Sequence, residues 1–265
     1  MFFSVKLPFA EHEVRDYERR RYRGLDQRLV HRREVRILQR IMGIIDSASE
    51  KSRASSPGPY VQAGRGDSAH ERPAIEKAPR AASPGDWLAS PGSYPPGLSR
   101  LALDAPCGYG RFSSFLVERG YCLASADLSI SMARRACNRE DLSTIPMGIV
   151  CDLVRGLPFK PGVFALVLSM RLFHHLHDPE ERRRVLREFS RVAGGWVVLS
   201  YYQANALHRL QRRLRRLVKK SRTRIRMISR RAFREEVNAA GLKIVRVFPL
   251  FRGIHAQHIA LLEKG

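Results

Sequence analysis

From residue 98 onward the apolar positions follow two alternating rhythms. Short, nearly continuous apolar runs read as buried strands; segments with apolar residues three and four apart read as helices. "RLALDAP" predicts a first strand, and "RFSSFLVERG" a helix ended by Gly120. "CLASADLS" predicts a second strand, followed by the helix "ISMARRACNRE"; "PMGIVCD" and "FALVLSM" predict a third and a fourth. "DPEERRRVLREFSRVA" predicts a helix with Pro179 in its first turn and acids near its positive end. "GWVVLSYY" is a fifth strand, "RRAFREEVNAAG" a further helix, and "LKIVRVFPL" and "AQHIALLEKG" two last strands with no helix between them. Strands alternating with helices imply a parallel sheet covered on both faces. The helix-free final pair implies a hairpin. The expected fold is therefore α/β, a Rossmann-like doubly wound, mostly parallel seven-stranded sheet whose last strand is antiparallel.

Upstream, Val14, Tyr17, Leu25, Leu29, Ile37 and Ile41 recur at turn-like spacing among many charges, which predicts an N-terminal helical cap within residues 1–45. Residues 46–97 hold about half of the fifteen prolines and much Ser, Gly and Ala. Such a stretch buries too little apolar surface to offset ordering, and is expected to be a disordered linker. The catalytic domain is then expected over 98–265, with 203–231 as a basic helical insertion.

Charge changes the picture more than length does. The 265 residues are 44% hydrophobic, enough for a packed core, but their formal net charge is +23. Two explanations stand: an anionic partner, or a GC-rich coding composition, since Arg outnumbers Lys about five to one. Cys107, Cys122, Cys137 and Cys151 form no Cys-x-x-Cys pair and have no His cluster at ligand spacing, so no metal site is expected. They read as small buried thiols of a reduced, cytoplasmic protein. "MFFSVKLPFAEHEV" meets charge too soon for a signal peptide, and no apolar run approaches the roughly 18 residues of a transmembrane segment. Peripheral contact with a membrane stays open.

The chemistry concentrates in "LALDAPCGYGR", residues 101–111. A glycine turn after the first strand of such a sheet is a ligand site at the carboxyl ends of the strands. The dinucleotide pattern Gly-x-Gly-x-x-Gly fails at Ser113, and Asp104 would repel a pyrophosphate. A carboxylate there suits a cationic ligand, such as an ammonium or sulfonium. "LDAPCGYGR" resembles the first motif of class I S-adenosylmethionine-dependent methyltransferases, Asp-x-Gly-Cys-Gly-x-Gly, with Pro106 in place of the first glycine. The likeness runs through 98–202 and more loosely to the end, and is nearest to the small-molecule and ubiquinone-biosynthesis-like branch. It implies that Asp104, Gly108 and Gly110 hold the methionine end of S-adenosyl-L-methionine. Asp127, ending the second strand about 20 residues on, would accept the ribose hydroxyls. Asp152, after the third, would meet the adenine amino group, with Leu153 beside the ring. Each of these acids could instead cap the helix that follows its strand.

"SMRLFHHLHD" matches that branch's loop after the fourth strand, so Ser169, Met170 and Arg171 are expected to border the cofactor. His174 and His175 would sit on the acceptor side as candidate general bases, given an unperturbed pKa of about 6.5; the alternative is that the pair packs and caps the next helix. Tyr201 and Tyr202 also point that way. The resemblance implies methyl transfer to oxygen or carbon of a small-molecule or lipid-linked acceptor. The alternatives are an RNA methyltransferase and a non-catalytic cofactor-binding module.

"QANALHRLQRRLRRLVKKSRTRIRMISRR", 203–231, contains no acid. Three readings compete: a lid burying the Leu face of 207–218, an interfacial helix on an anionic membrane surface, or an RNA-backbone clamp within 207–231. No aromatic residue interleaves the run, which argues against stacking on bases from within it.

Overall fold

The computed structural model describes residues 25–55, 100–143, 146–204, 226–252 and 255–265. One helix precedes the sheet, α1 (Leu25–Ser55). Then come β1 (Arg100–Asp104), α2 (Ser113–Val117), β2 (Tyr121–Asp127), α3 (Ile130–Cys137), β3 (Met147–Val150) and β4 (Phe164–Ser169). The rest is α4 (Pro179–Val192), β5 (Ala193–Tyr202), α5 (Arg230–Ala239), β6 (Leu242–Pro249) and β7 (Gln257–Lys264). The seven strands lie in the order β3-β2-β1-β4-β5-β7-β6. β7 is antiparallel to both neighbours, and the remaining pairs are parallel, as the pattern predicts. The central strands read as unbroken apolar runs because both of their faces are covered. One apolar cluster, with Phe164, Phe189 and Phe233, lies under α4 and α5. The other joins α1 and α2 to the opposite face.

Three details differ from expectation. The buried stripe of α1 is Val30, Ile37, Leu38, Ile41, Met42 and Ile45, so Ile37 and Ile41 lie on it as expected, while Leu29 is exposed and Val30 takes its place. α1 also continues ten residues into the stretch read as linker. There the Ser47 and Ser49 hydroxyls donate to the carbonyls of Gly43 and Ile45, four residues back, which lets serine sit in a helix. The helix expected over 111–120 is only α2, because its ends close as tight turns: Ser113 N–H donates to Gly110 O, and Gly120 N–H to Val117 O. Residues 56–99 and the helix expected over 207–218 lie outside the described residues. All four cysteines are free thiols, two buried and two half-buried. No helix among the described residues is long and apolar enough to cross a membrane.

Candidate functional site

β1 ends at Asp104, and the chain turns at once through a cis Ala105–Pro106 bond into the glycine loop. Ala105 N–H donates to Leu168 O and Cys107 N–H to Ala126 O, which ties the loop to β4 and β2 on either side. Gly108 and Gly110 have φ of +54° and +79°, conformations that cost an L side chain. Gly110 is doubly constrained, since a Cβ would meet the Ala136 Cα at 2.9 Å. Gly108 faces open space, with nothing within 4 Å of where its Cβ would be.

Asp104 is buried, and its Oδ2 finds no hydrogen-bond partner among the described residues. Burial pushes its carboxyl up to about 8; Arg111 pulls it down and Asp127 adds to the rise. A buried carboxyl oxygen without a hydrogen-bond partner, beside an open glycine backbone, suits a cationic group. Asp127 ends β2 and is already half committed. Its Oδ2 accepts Gly108 N–H and its Oδ1 accepts Ser129 N–H, both at 2.9 Å. Burial raises this carboxyl too, against those same backbone donors. Each oxygen keeps a second lone pair for a ligand hydroxyl. Asp152 lies two residues past β3, where it accepts Val154 N–H at 2.9 Å and pairs with Arg155. Neither acid caps a helix: Ser129 is the N-cap of α3, and among the described residues no helix lies between β3 and β4. Leu153 is buried beside it.

Ser169 ends β4 with a buried hydroxyl that finds no partner among the described residues, and Met170 follows it into the core. Arg171 takes a φ of +64°, held there by its N–H bond to Ser200 Oγ at 2.8 Å. Its guanidinium runs to an acid the sequence reading passed over, Glu34 of α1. Glu34 is wholly buried and receives Arg111 at 2.8 Å, Arg171 at 3.2 Å and the Gln257 amide at 2.8 Å. Burial pushes its carboxyl up, but the two guanidiniums and the amide outweigh that and leave it below the usual range. α1 is therefore bolted across the glycine loop, the post-β4 loop and β7. Little in the sequence singles out Glu34, one of four acids in α1 with Asp26, Asp46 and Glu50, although Arg111 and Arg171 each follow a motif loop.

In the loop after β4, His174 is buried and His175 exposed, with ring centroids 3.9 Å apart. Tyr202 lies 4.9 Å from His174. Tyr201 does not share this side with Tyr202. Strand alternation turns it into the core, stacked on Phe233 at 3.9 Å, and burial pushes its hydroxyl up to about 12. The C-terminal end of the basic insertion returns here: Ile228 N–H donates to Tyr202 O, and Arg226 N–H to His174 O. A separate groove of about 730 Å³ lies beyond β3, flanked by Arg155, Arg184 and Arg187, and none of the three strand-end acids lines it.

Residues 102–194 match the methyltransferase domain family. The chain is 30% identical over 114 residues to the 18S rRNA (guanine-N7)-methyltransferase of Bos taurus, covering 39% of this chain and 40% of that protein. It is 29% identical over 110 residues to the same-named enzyme of Schizosaccharomyces pombe, covering 38% and 40%. It thus spans about two-fifths of the length of these curated relatives. Among solved structures, magnesium protoporphyrin IX methyltransferase from Synechocystis superposes with a TM-score of 0.54 at 19% identity, over 68% of this chain and 80% of that one.

Proposed function

We propose that this chain, whose residues 102–194 form a methyltransferase domain of the class I S-adenosylmethionine-dependent kind, methylates an RNA base. The cradle around Asp104 supports the cofactor: a buried carboxyl oxygen without a hydrogen-bond partner and an open glycine backbone suit an amino acid end that carries positive charge. Gly108 and Gly110 would let the backbone approach that end, Asp127 would take the ribose, and Asp152 with Leu153 the adenine. The bound cofactor supplies an electrophilic methyl group on its sulfonium. The protein's part is orientation and proximity of the acceptor, with Ser169 and Met170 walling the cofactor side.

The RNA acceptor is carried by the two relatives named as 18S rRNA guanine-N7 enzymes, and it displaces the small-molecule or lipid-linked acceptor as the leading reading. Charge supports it: +23 overall, with an acid-free stretch whose C-terminal end is hydrogen-bonded to Tyr202 and His174. Buried His174 fits as well. A ring nitrogen such as guanine N7 attacks through its own lone pair, so no general base is required, and the histidines are released from that role. The test is to incubate the full chain with methyl-labelled cofactor and fractionated extract. Label is expected in nuclease-sensitive RNA and, after digestion, in a methylated purine. Label confined to the lipid or small-molecule fraction would return the acceptor to those classes, and cofactor binding without transfer to any fraction would favour a non-catalytic module.

A further inference from the structure

We propose that Glu34 of α1 is a positioning residue for the cofactor site, so that the seating of α1 and the binding of the cofactor reinforce one another. This rests on the cofactor assignment above and not on the choice of acceptor. Glu34 stands one turn before Ile37 and Leu38, on the buried face of α1. An apolar residue there would extend the stripe, and a buried ion pair in its place adds little net stability. What distinguishes the position is the set of groups that meets it.

Those groups come from three places in the chain. Arg111 Nη1 lies 2.8 Å from Glu34 Oε2. The Arg171 guanidinium donates from Nε at 3.3 Å and from Nη2 to both carboxylate oxygens at 3.2 Å. The Gln257 amide donates to Oε1 at 2.8 Å. Arg111 directly follows Gly110, and Arg171 directly follows Ser169 and Met170, so each cation continues a loop assigned above to the cofactor. Gln257 begins β7 and pairs with the last residue of β5, which gives Glu34 a fixed point on the sheet itself. One carboxylate thus ties both loops to one strand.

Both loops need such a tie. Gly110 is backed by Ala136 of α3, which a Cβ would meet at 2.9 Å, whereas Gly108 has nothing within 4 Å. Arg171 is the one non-glycine residue with a positive φ among the described residues. Such a conformation persists only where its surroundings over-determine it, here the bond from its N–H to Ser200 Oγ and the grip of Glu34. The effect reaches Asp104, because Arg111 is the cation that pulls that carboxyl down against burial. Fixing Arg111 therefore fixes the charge felt by the group that meets the positive end of the ligand. A loop that is competent only while α1 is seated binds cofactor in proportion to the seated fraction. The same coupling acts in reverse, with bound cofactor holding α1 down by the same factor. A helix held by its apolar stripe alone would show neither effect.

The experiment measures amide hydrogen exchange along α1 of the full chain, with and without S-adenosylhomocysteine, alongside the calorimetric Kd of that ligand. In the wild type the ligand should slow exchange in α1 at least about fivefold, the low end of coupling between two sites. Glu34→Gln, which keeps the size and loses the charge, should weaken Kd by a like factor and remove most of the slowing. Ile45→Ala opens the far end of the stripe and leaves the ion cluster alone; it should raise exchange in α1 overall yet preserve the slowing by ligand. Wild-type exchange that ignores the ligand, or an unchanged Kd in folded Glu34→Gln, overturns the proposal. So does Ile45→Ala if it abolishes the slowing as fully as Glu34→Gln does. The wild type and the Ile45 variant carry the test if the Gln variant fails to fold. Failure of the cofactor assignment is separate, and would appear as a wild type that does not bind S-adenosylhomocysteine.

Discussion

Asp104 is a carboxyl whose preferred state is set by what arrives beside it. Alone and buried it holds its proton up to about pH 8, with Arg111 too weak to reverse the rise. The raised folded pKa means that its contribution to stability is fully present below the ordinary carboxylate range and is lost as pH climbs through about 8. A cationic ligand favours the ionised form, so binding below that pH expels a proton. Affinity for the cofactor should therefore increase between pH 6 and 8, by up to about tenfold per pH unit for one linked proton. Calorimetry at pH 7 in buffers of different ionisation enthalpy should register the released proton. Asp104→Asn should abolish both the proton release and the pH dependence. A flat affinity profile in the wild type would mean that the positive end of the ligand lies elsewhere. Asp127 differs, since its two backbone bonds also shape the loop, and its replacement should disturb the loop along with any ribose contact.

At the level of elements, what could be read in the sequence was whatever depends on neighbours along the chain. All seven strands and the antiparallel last one follow from apolar rhythm and from a missing helix, and the glycine turn from residues within one short loop. Three strand-end acids were legible because strand ends carry their own punctuation. α1 was legible as a helix but not as part of the site, because its anchor joins Glu34 to Arg171, 137 positions away, and no local pattern encodes such a pairing. A paired buried acid and a solvated one look alike in a sequence. The anchor gives α1 a measurable role: Glu34→Gln removes the carboxylate that two guanidiniums, 10% and 14% exposed, share. Breaking a buried pair from one side costs roughly 3–5 kcal/mol, so thermal unfolding should shift down by several degrees or α1 should detach. Limited proteolysis should then cut within 25–55 faster than in the wild type. An unchanged melting temperature and unchanged cleavage would show that the apolar stripe from Val30 to Ile45 holds α1 by itself.

For the molecule as a whole, the question is whether +23 is a device or a by-product of composition. Placement argues for a device at one point: the acid-free stretch leaves from β5 and returns at Ile228, tied by backbone bonds to Tyr202 and His174. A charge excess due to composition alone would bind RNA without regard to that stretch. The two cases differ in salt dependence. Each cation that neutralises a phosphate of a single strand adds about 0.7 to the negative slope of log affinity against log salt. Changing Arg212, Arg213 and Arg216 together to Gln should therefore make the slope shallower by about two if all three touch phosphates. Leu210→Ser with Leu214→Ser should leave the slope alone, and should instead lower turnover or stability if that face packs as a lid. Filter binding of labelled single-stranded RNA across a salt series measures the first effect, and methyl transfer with a melting curve the second. A slope that stays as steep after the three Arg changes, with folding intact, would assign the charge of 207–218 to composition and move RNA contact to the remaining basic surface.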